Sequence, residues 1–337
     1  EQYDSSVQAS TVLLPGGDAG VLRVPHTKFG LAVTVDCNAR LVALDPYEGG
    51  KACVAEAARN IACTGAVPLG ITDCLNFGNP EKPEVFFQFR EACRGIADAC
   101  RAFDTPVTGG NVSLYNESPI GAIDPTPTIG MVGVLEDAER RVPSHFRSSG
   151  DTVVLLGRTG GHLGGSIYWS EVCDFFGGRP APVDLKAERS LQRFLVAAAR
   201  ERLLRSAHDC SEGGLLVALA EAAIGGPYAD APLGATVDLS GHGGSIADDA
   251  LLYGEDHGRV VASCAPDAVD RLLALAREHG VPAEAVGTVE PSGSLTVVRQ
   301  DRSWTWSTAA LRETYYEAIP RRMRHADADR SAAGTEA

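Results

Sequence analysis

Apolar and polar positions along the first part of the chain alternate between strand-like and helix-like periods. The run from Leu31 to Val35 is apolar almost throughout, which is typical of a buried strand. Val54, Ala57 and Ile61 then recur at helical spacing, so they predict a helix from about residue 48 to 64. Gly65 is a usual helix end, and a strand follows it. This alternation predicts an α/β fold.

A second strand–helix–strand unit carries the polar residues that point to a function. The strand from Val67 to Thr72 is predicted to run into a polar loop that begins at Asp73, and a long helix over about 82–103 leads to another strand. That strand is predicted to end in a loop with Gly110, Asn111 and Ser113. If the two strands are neighbours, a right-handed crossover brings both loops to one end of the sheet, where ligands commonly bind.

The residue types in these loops suit a phosphate or a hydrated metal ion. Gly110 lets the backbone approach a ligand closely. Asn111, Ser113 and Asn116 offer neutral donors and acceptors. The alternative interpretation is structural, because Gly-Gly-Asn is also an ordinary turn signal.

The later part of the chain predicts a second α/β domain. A polar stretch from Glu136 to Gly150 separates two apolar strands, so we place the domains at 1–145 and 146–310, followed by a C-terminal extension and mobile tail at 311–337. The glycine-rich loop 158–166 either admits a phosphate or serves close packing. Helices are predicted over about 187–205 and 212–224, the second capped by Ser211.

Composition narrows the class of protein. The 337 residues are 44% hydrophobic and 22% charged, as in a globular protein of two domains. A formal net charge of −14 argues against nucleic acid or an acidic membrane surface as partner. Nine cysteines without a C-x-x-C pair indicate buried thiols in a reducing, cytoplasmic location, and no apolar run is long enough to span a membrane.

The chain begins at Glu1 in a segment, Gln2–Asp4, that reads as ordered protein, so we expect a fragment of a longer polypeptide.

No recognised nucleophile or base stands out. The nucleophile elbow, the P-loop and the H-E-x-x-H zinc motif are all missing from the sequence. His208 and Asp209 form an adjacent pair, but neighbouring side chains seldom point at one reaction centre. Asp36 closes its strand either as a metal ligand or as a turn cap.

Two long strings, DCLNFGNPEKPE from Asp73 and GNVSLYNE from Gly110, resemble the second half of the synthetase subunit of phosphoribosylformylglycinamidine synthases. These enzymes belong to the aminoimidazole ribonucleotide synthetase superfamily. Further matching strings lie at Pro15–Ala19, Asp45–Gly50, Ala57–Asn60, Pro127–Gly133, Leu163–Ser166 and His208–Leu215.

This resemblance implies a fold and a reaction. The N-terminal α/β domain of each unit pairs with the sheet of another unit into a barrel-like core, and a C-terminal α/β domain follows. The implied reaction uses ATP and Mg²⁺ to activate the amide oxygen of formylglycinamide ribonucleotide. Ammonia derived from glutamine then displaces the phosphate and leaves an amidine. The implied partners are the first unit of the same polypeptide, a glutaminase subunit and a small accessory subunit.

The resemblance also implies site residues. Asp73 and Gly110 would contact ATP, Asn111 would bind Mg²⁺, and Ser113 would contact the substrate. Asp36 and Asp209 would belong to an auxiliary nucleotide or metal site.

One departure from the family pattern limits what this chain does alone. The first unit carries catalytic histidines in a loop after its second strand, whereas the corresponding stretch here, Asp36–Arg40, has none. The sequence therefore predicts no catalytic residue in this chain and no activity for it alone. The competing hypotheses are a stand-alone ATP-dependent kinase or synthetase of the same superfamily and a non-catalytic nucleotide-binding module.

Overall fold

The described residues form one six-stranded and one seven-stranded sheet, together with a two-stranded hairpin. The computed structural model describes residues 9–226 and 232–333, so the segment Gln2–Asp4 lies outside the described residues. The first part of the chain forms β1 (Thr11–Leu13), β2 (Gly20–Arg23), β3 (Gly30–Asp36), α1 (Ala39–Leu44), α2 (Pro46–Cys63), β4 (Val67–Asn76), α3 (Pro83–Phe103), β5 (Val107–Ser113), β6 (Glu117–Ser118), β7 (Gly121–Ala122) and β8 (Thr126–Leu135).

The six-stranded sheet has the order β1-β2-β3-β8-β4-β5, and α2 and α3 pack together on one of its faces. The two helices approach each other closely because they carry glycine at the contact. A Cβ on Gly50 would lie 2.4 Å from the carbonyl oxygen of Ala92, and one on Gly95 would lie 2.2 Å from that of Tyr47. The small residues at this contact therefore serve close packing of α2 against α3.

Local signals set the ends of both helices. Asp45 accepts a hydrogen bond from the Glu48 amide at the start of α2, and Pro46 occupies the first turn. Gly65 follows the helix with a φ of +86°, a conformation that favours glycine. The α3 helix begins at Pro83 and ends at Asp104 in the left-handed region, φ 59°.

The second part of the chain builds the seven-stranded sheet, with the order β10-β12-β9-β13-β11-β14-β15. Helices cover both of its faces, and each face has its own apolar core. The elements are β9 (Thr152–Leu156), α4 (Leu185–Arg200), β10 (Ser206–Asp209), α5 (Gly214–Ile224), β11 (Gly234–Asp238), α6 (Asp248–Tyr253), β12 (Val260–Cys264), α7 (Val269–Glu278), β13 (Ala283–Glu290), β14 (Ser294–Arg299), β15 (Arg302–Ser307) and α8 (Thr308–Ala333).

Within the part of the chain that the structure describes, the six-stranded sheet is covered on one side only. Along β3, buried residues alternate with exposed apolar ones, and the register places those exposed residues beside exposed apolar residues of β4 and β8. We call this surface the open face; it comprises Leu31, Val33, Val35, Val67 and Val132. Because apolar side chains in a sheet are normally covered, the open face has the character of an interface.

Three features of the secondary structure were not predicted from the sequence. The short helix α1 was not predicted. Gly213, not Ser211, occupies the cap position of α5. A helix, α8, runs through Ala333 over most of the predicted extension, while residues 334–337 lie outside the described residues. Mobility of that extension stays a prediction.

Candidate functional site

Strands β4 and β5 lie side by side and parallel, as the crossover argument predicted. Asp73 pairs with Gly110, and Cys74 pairs with Asn111. The predicted loops are wrong in one respect, because all the candidate residues lie inside strands that run on to Asn76 and Ser113. The Gly-Gly pair does not form a turn, since neither glycine adopts a positive φ.

The pairing explains why position 110 is glycine. A Cβ at Gly110 would lie 1.9 Å from Oδ1 of Asp73 and 2.6 Å from its carbonyl oxygen. The Asp73 carboxylate therefore occupies the space that a side chain at position 110 would need. Burial raises the pKa of this carboxyl above its usual value.

Asn111 and Ser113 point to the other face of the sheet. Side chains alternate along a strand, so residues 111 and 113 lie opposite to Gly110 and Asp73. The Asn111 amide nitrogen lies 3.9 Å from the sulfur of Cys74, which has the same orientation on β4. Asn111 and Ser113 thus share the open face, whereas Asp73 lies on the opposite face, and β5 forms the edge of the sheet at this point.

The ends of β4 and β5 are fastened together by residues of the two long sequence strings. The side-chain nitrogen Nδ2 of Asn116 donates to the carbonyl oxygens of Phe77 (3.0 Å) and Ser113 (2.9 Å). Glu117 accepts from the Asn79 amide at 3.2 Å and from Lys82 Nζ at 2.7 Å. These strings therefore fix the strand ends beside the candidate site.

The donors present fit a contribution to Mg²⁺ binding but not a complete site. No protein donor lies within hydrogen-bond distance of the Asn111 side-chain oxygen among the described residues, so this oxygen is available as a hard ligand. Within the same residues, no group of three or more His, Cys, Asp or Glu side chains is arranged to hold a metal ion. A magnesium ion at Asn111 would need further oxygens from a nucleotide or from another unit.

Asp36, predicted for an auxiliary site, lines a cavity of about 300 Å³ between the two sheets. Its carboxylate accepts from Thr34 Oγ1 at 2.9 Å and from Asn60 Nδ2 at 2.8 Å. Burial, together with a smaller contribution from the nearby Asp209, raises the pKa of Asp36 to about 7 despite these bonds.

Asp209 is held in a buried ion pair rather than turned to the cavity. Both of its carboxylate oxygens accept from Arg59 of α2, and the same guanidinium donates to Glu188 of α4 at 2.5 Å. Arg59 is only 1% exposed. A ligand at Asp209 would have to compete with this pair, so the geometry does not favour the auxiliary role predicted for it.

His208 is not positioned as a free base. Its Nδ1 lies 3.0 Å from Asp18 and its Nε2 lies 3.0 Å from Glu221. Burial opposes charge on the ring, but these carboxylates raise the pKa of His208 well above its usual value. A ring whose two nitrogens both face carboxylates is placed as a structural link between them.

The backbone amides of the glycine-rich loop 158–166 are hydrogen-bonded to a carboxylate of the protein itself. The amides of Gly160 and Gly161 each donate to Asp256 at 2.9 Å. A carboxylate thus takes the place that a phosphate would need, which favours the packing role. Sequence reasoning did not identify Arg59 or Asp256, since only three-dimensional contacts reveal these pairs.

Two domain families match the chain. AIR synthase related protein, N-terminal domain, matches residues 16–135, and AIR synthase related protein, C-terminal domain, matches residues 148–300. The chain belongs to the AIR synthase-related family.

Its relatives include phosphoribosylformylglycinamidine synthase subunits PurL, which confirms the resemblance drawn from the motifs. The Moorella thermoacetica protein is 47% identical over 319 residues, which cover 95% of this chain and 42% of that protein. The Chlorobium chlorochromatii protein is 48% identical over 326 residues, with 94% and 42% coverage. The chain therefore spans about two fifths of the length of these relatives.

Solved structures share the fold. T. maritima PurL complexed with FGAR aligns with a TM-score of 0.74 at 24% identity and covers 88% of this chain and 48% of that one. T. maritima PurL complexed with ATP gives 0.71 at 22% identity, with 92% and 48% coverage. The tt0281 protein of Thermus thermophilus gives 0.63 at 23% identity, with 86% and 92% coverage. None of the described helices is both long and apolar enough to cross a membrane.

Proposed function

We propose that this chain is the second unit of a phosphoribosylformylglycinamidine synthase and supplies half of its active site. The whole enzyme would convert formylglycinamide ribonucleotide to the amidine with ATP, Mg²⁺ and ammonia derived from glutamine. The single observation that carries this proposal is the open face, an apolar sheet surface that also presents Asn111 and Ser113. A first unit that covered this face would bring its own residues against them.

Each candidate residue has a role in this proposal. The Asn111 oxygen would complete the coordination of Mg²⁺, and the ion would offset negative charge as the phosphoryl group moves to the amide oxygen. The Ser113 hydroxyl would hold the substrate. Asp73, paired with Gly110 of the edge strand, would contact ATP. The proton-transferring histidine would come from the first unit.

Two observations support the proposal that the proton-transferring histidine comes from the first unit and not from this chain. The stretch Asp36–Arg40 contains no histidine, and His208 lies between two carboxylates. The proposed partners remain the first unit, the glutaminase subunit and the small accessory subunit, and the proposed location is the cytoplasm. One of the solved neighbours is a PurLQS structure from Thermotoga maritima, which supports an assembly of this kind.

A stand-alone kinase and a non-catalytic nucleotide-binding module are the alternative functions. A titration of the chain with ADP and Mg²⁺, followed by assays with a separately expressed first unit of a PurL relative, distinguishes the three. We expect amidine formation only in the mixture. Turnover of ATP by the chain alone would support the kinase, and stoichiometric nucleotide binding without rescue in the mixture would support the module.

A further inference from the structure

The hydroxyl group of Ser113 has one side-chain partner, Asn116, among the described residues. The Asn116 nitrogen lies 3.2 Å from Ser113 Oγ, and Ser113 Oγ donates to the Asn116 side-chain oxygen at 3.3 Å. Both residues are half-buried. The amide of Asn116 therefore restricts the orientation of the hydroxyl that faces the open side of the sheet.

Backbone hydrogen bonds join the strand ends at this point, in addition to the bonds that the Asn116 side chain donates to the Phe77 and Ser113 carbonyls. The Phe77 amide donates to the Ser113 carbonyl at 3.0 Å, and the Asn116 amide donates to the Phe77 carbonyl at 3.2 Å. The Tyr115 amide donates to Gly78 at 2.9 Å. Because these bonds already hold the strand ends, contact with the Ser113 hydroxyl is an additional task of the Asn116 side chain.

The backbone conformation of one residue, Tyr115, places the Asn116 side chain beside Ser113. Tyr115 adopts a φ of +61°, which is uncommon for a side-chain-bearing residue. This left-handed turn brings Asn116 back towards β5, three residues after Ser113. Strained backbone of this kind persists where the surrounding contacts require it.

We propose that Asn116 is a positioning residue for substrate binding, acting through the Ser113 hydroxyl. This inference rests on the proposed function, because it takes Ser113 as a substrate contact. A hydroxyl held in one orientation loses less conformational freedom when it binds. Loss of the Asn116 side chain should therefore weaken the binding of the substrate and leave the binding of ATP unaffected.

The test is a double-mutant cycle in the mixture of this chain with a first unit, assayed with formylglycinamide ribonucleotide, ATP, Mg²⁺ and ammonium. We expect Ser113→Ala and Asn116→Ala each to raise the KM for the ribonucleotide by about tenfold, the effect of about one hydrogen bond. The double variant should be no worse than either single one, because both changes remove the same contact. The KM for ATP should stay within about twofold of the wild-type value.

A second variant separates positioning from simple stability. Asn116→Asp keeps an acceptor for the Ser113 hydroxyl but loses the donors to the two carbonyls, so it should unfold more easily yet retain a KM near the wild-type value. Additive effects in the cycle, an unchanged KM in Asn116→Ala, or a KM in Asn116→Asp that rises with the loss of stability would overturn the inference. An inactive wild-type mixture would instead overturn the proposed function on which it rests.

Discussion

The two large sheets of the chain differ in how their apolar residues are covered. In the seven-stranded sheet, Val153 and Val154 of β9 point to opposite faces and both are fully buried, because helices lie on both sides. In the six-stranded sheet, Ala32 of β3 is fully buried, whereas Val33 and Val35 are exposed. Similar strand sequences thus complete one core within the chain and leave the other open. The proposed function assigns the second cover to another unit.

The largest expected effect is a charge placed in the fully covered sheet. Val154→Asp would bury a carboxylate in an apolar core, and we expect a loss of at least about 4 kcal/mol in the free energy of unfolding. The matched control is Val35→Asp on the open face, 69% exposed, which should change this free energy by less than about 0.5 kcal/mol. Urea unfolding of both variants measures the contrast, and equal losses would contradict it.

The next largest loss of stability is expected at the buried ion pair that joins α2, beside the six-stranded sheet, to α4 and β10 in the second half of the chain. Arg59→Ala would leave Asp209 and Glu188 buried without their partner, at an expected cost of about 3–5 kcal/mol. Arg271→Ala is the control, because that arginine pairs with Glu201 and Glu278 at the surface, where solvent screens the charges, so its loss should lower the unfolding temperature far less. Thermal unfolding measures both, and a small effect at Arg59 would argue against a tight connection between the sheets.

A smaller effect is expected at the edge of the six-stranded sheet. Gly110→Ala would force the backbone of β5 away from Asp73, with an expected cost of about 1–3 kcal/mol. Gly109→Ala is the matched control, since no atom lies within 4 Å of a Cβ at that position. A neutral Gly110→Ala in denaturant unfolding would show that β4 and β5 are not paired in this register.

The change in stability per pH unit should be smaller still. Burial raises the pKa of Asp36 from 3.8 to about 7, so in this window the folded chain holds a proton that the unfolded chain has released. The free energy of unfolding should fall as pH rises through this window. Asp36→Asn should remove a fall of about 1 kcal/mol per pH unit between pH 4 and 7.

The control for the pH effect is Asp267→Asn at an exposed position, which should leave the pH profile as in the wild type. Unfolding free energies measured at several pH values would decide the matter. A wild-type chain that becomes more stable relative to Asp36→Asn as pH rises would contradict a raised pKa.

Much of the fold could be predicted because its signals are local. Glycine at position 65 and the helical spacing from Val54 to Ile61 identify α2, and the crossover through α3 predicts the parallel pairing of β4 and β5. The extent of these strands could not be predicted, since Gly109 and Gly110 also read as a turn. They continue the strand because β5 lies at the edge of the sheet, where small and polar residues are tolerated.

The neighbourhood of the candidate residues could be predicted from the sequence, whereas their orientation could not, and their roles stay predictions. The motifs indicated Asp73, Gly110, Asn111 and Ser113, and the structure brings them together on β4 and β5. Which face each side chain occupies depends on the register, and a shift of one residue would reverse every side. The ion pair of Arg59 with Asp209 could not be predicted from local patterns, because its partners lie 150 positions apart in the sequence.

Amidine formation by an equimolar mixture of this chain with a first unit tests the central claim most directly. The account predicts turnover with the wild-type chain, none with either unit alone, and none with the Val35→Asp chain, which should fold normally but present a charge to the first unit. Full activity of the Val35→Asp mixture, or turnover by this chain without a partner, would contradict the claim that the open face completes an active site.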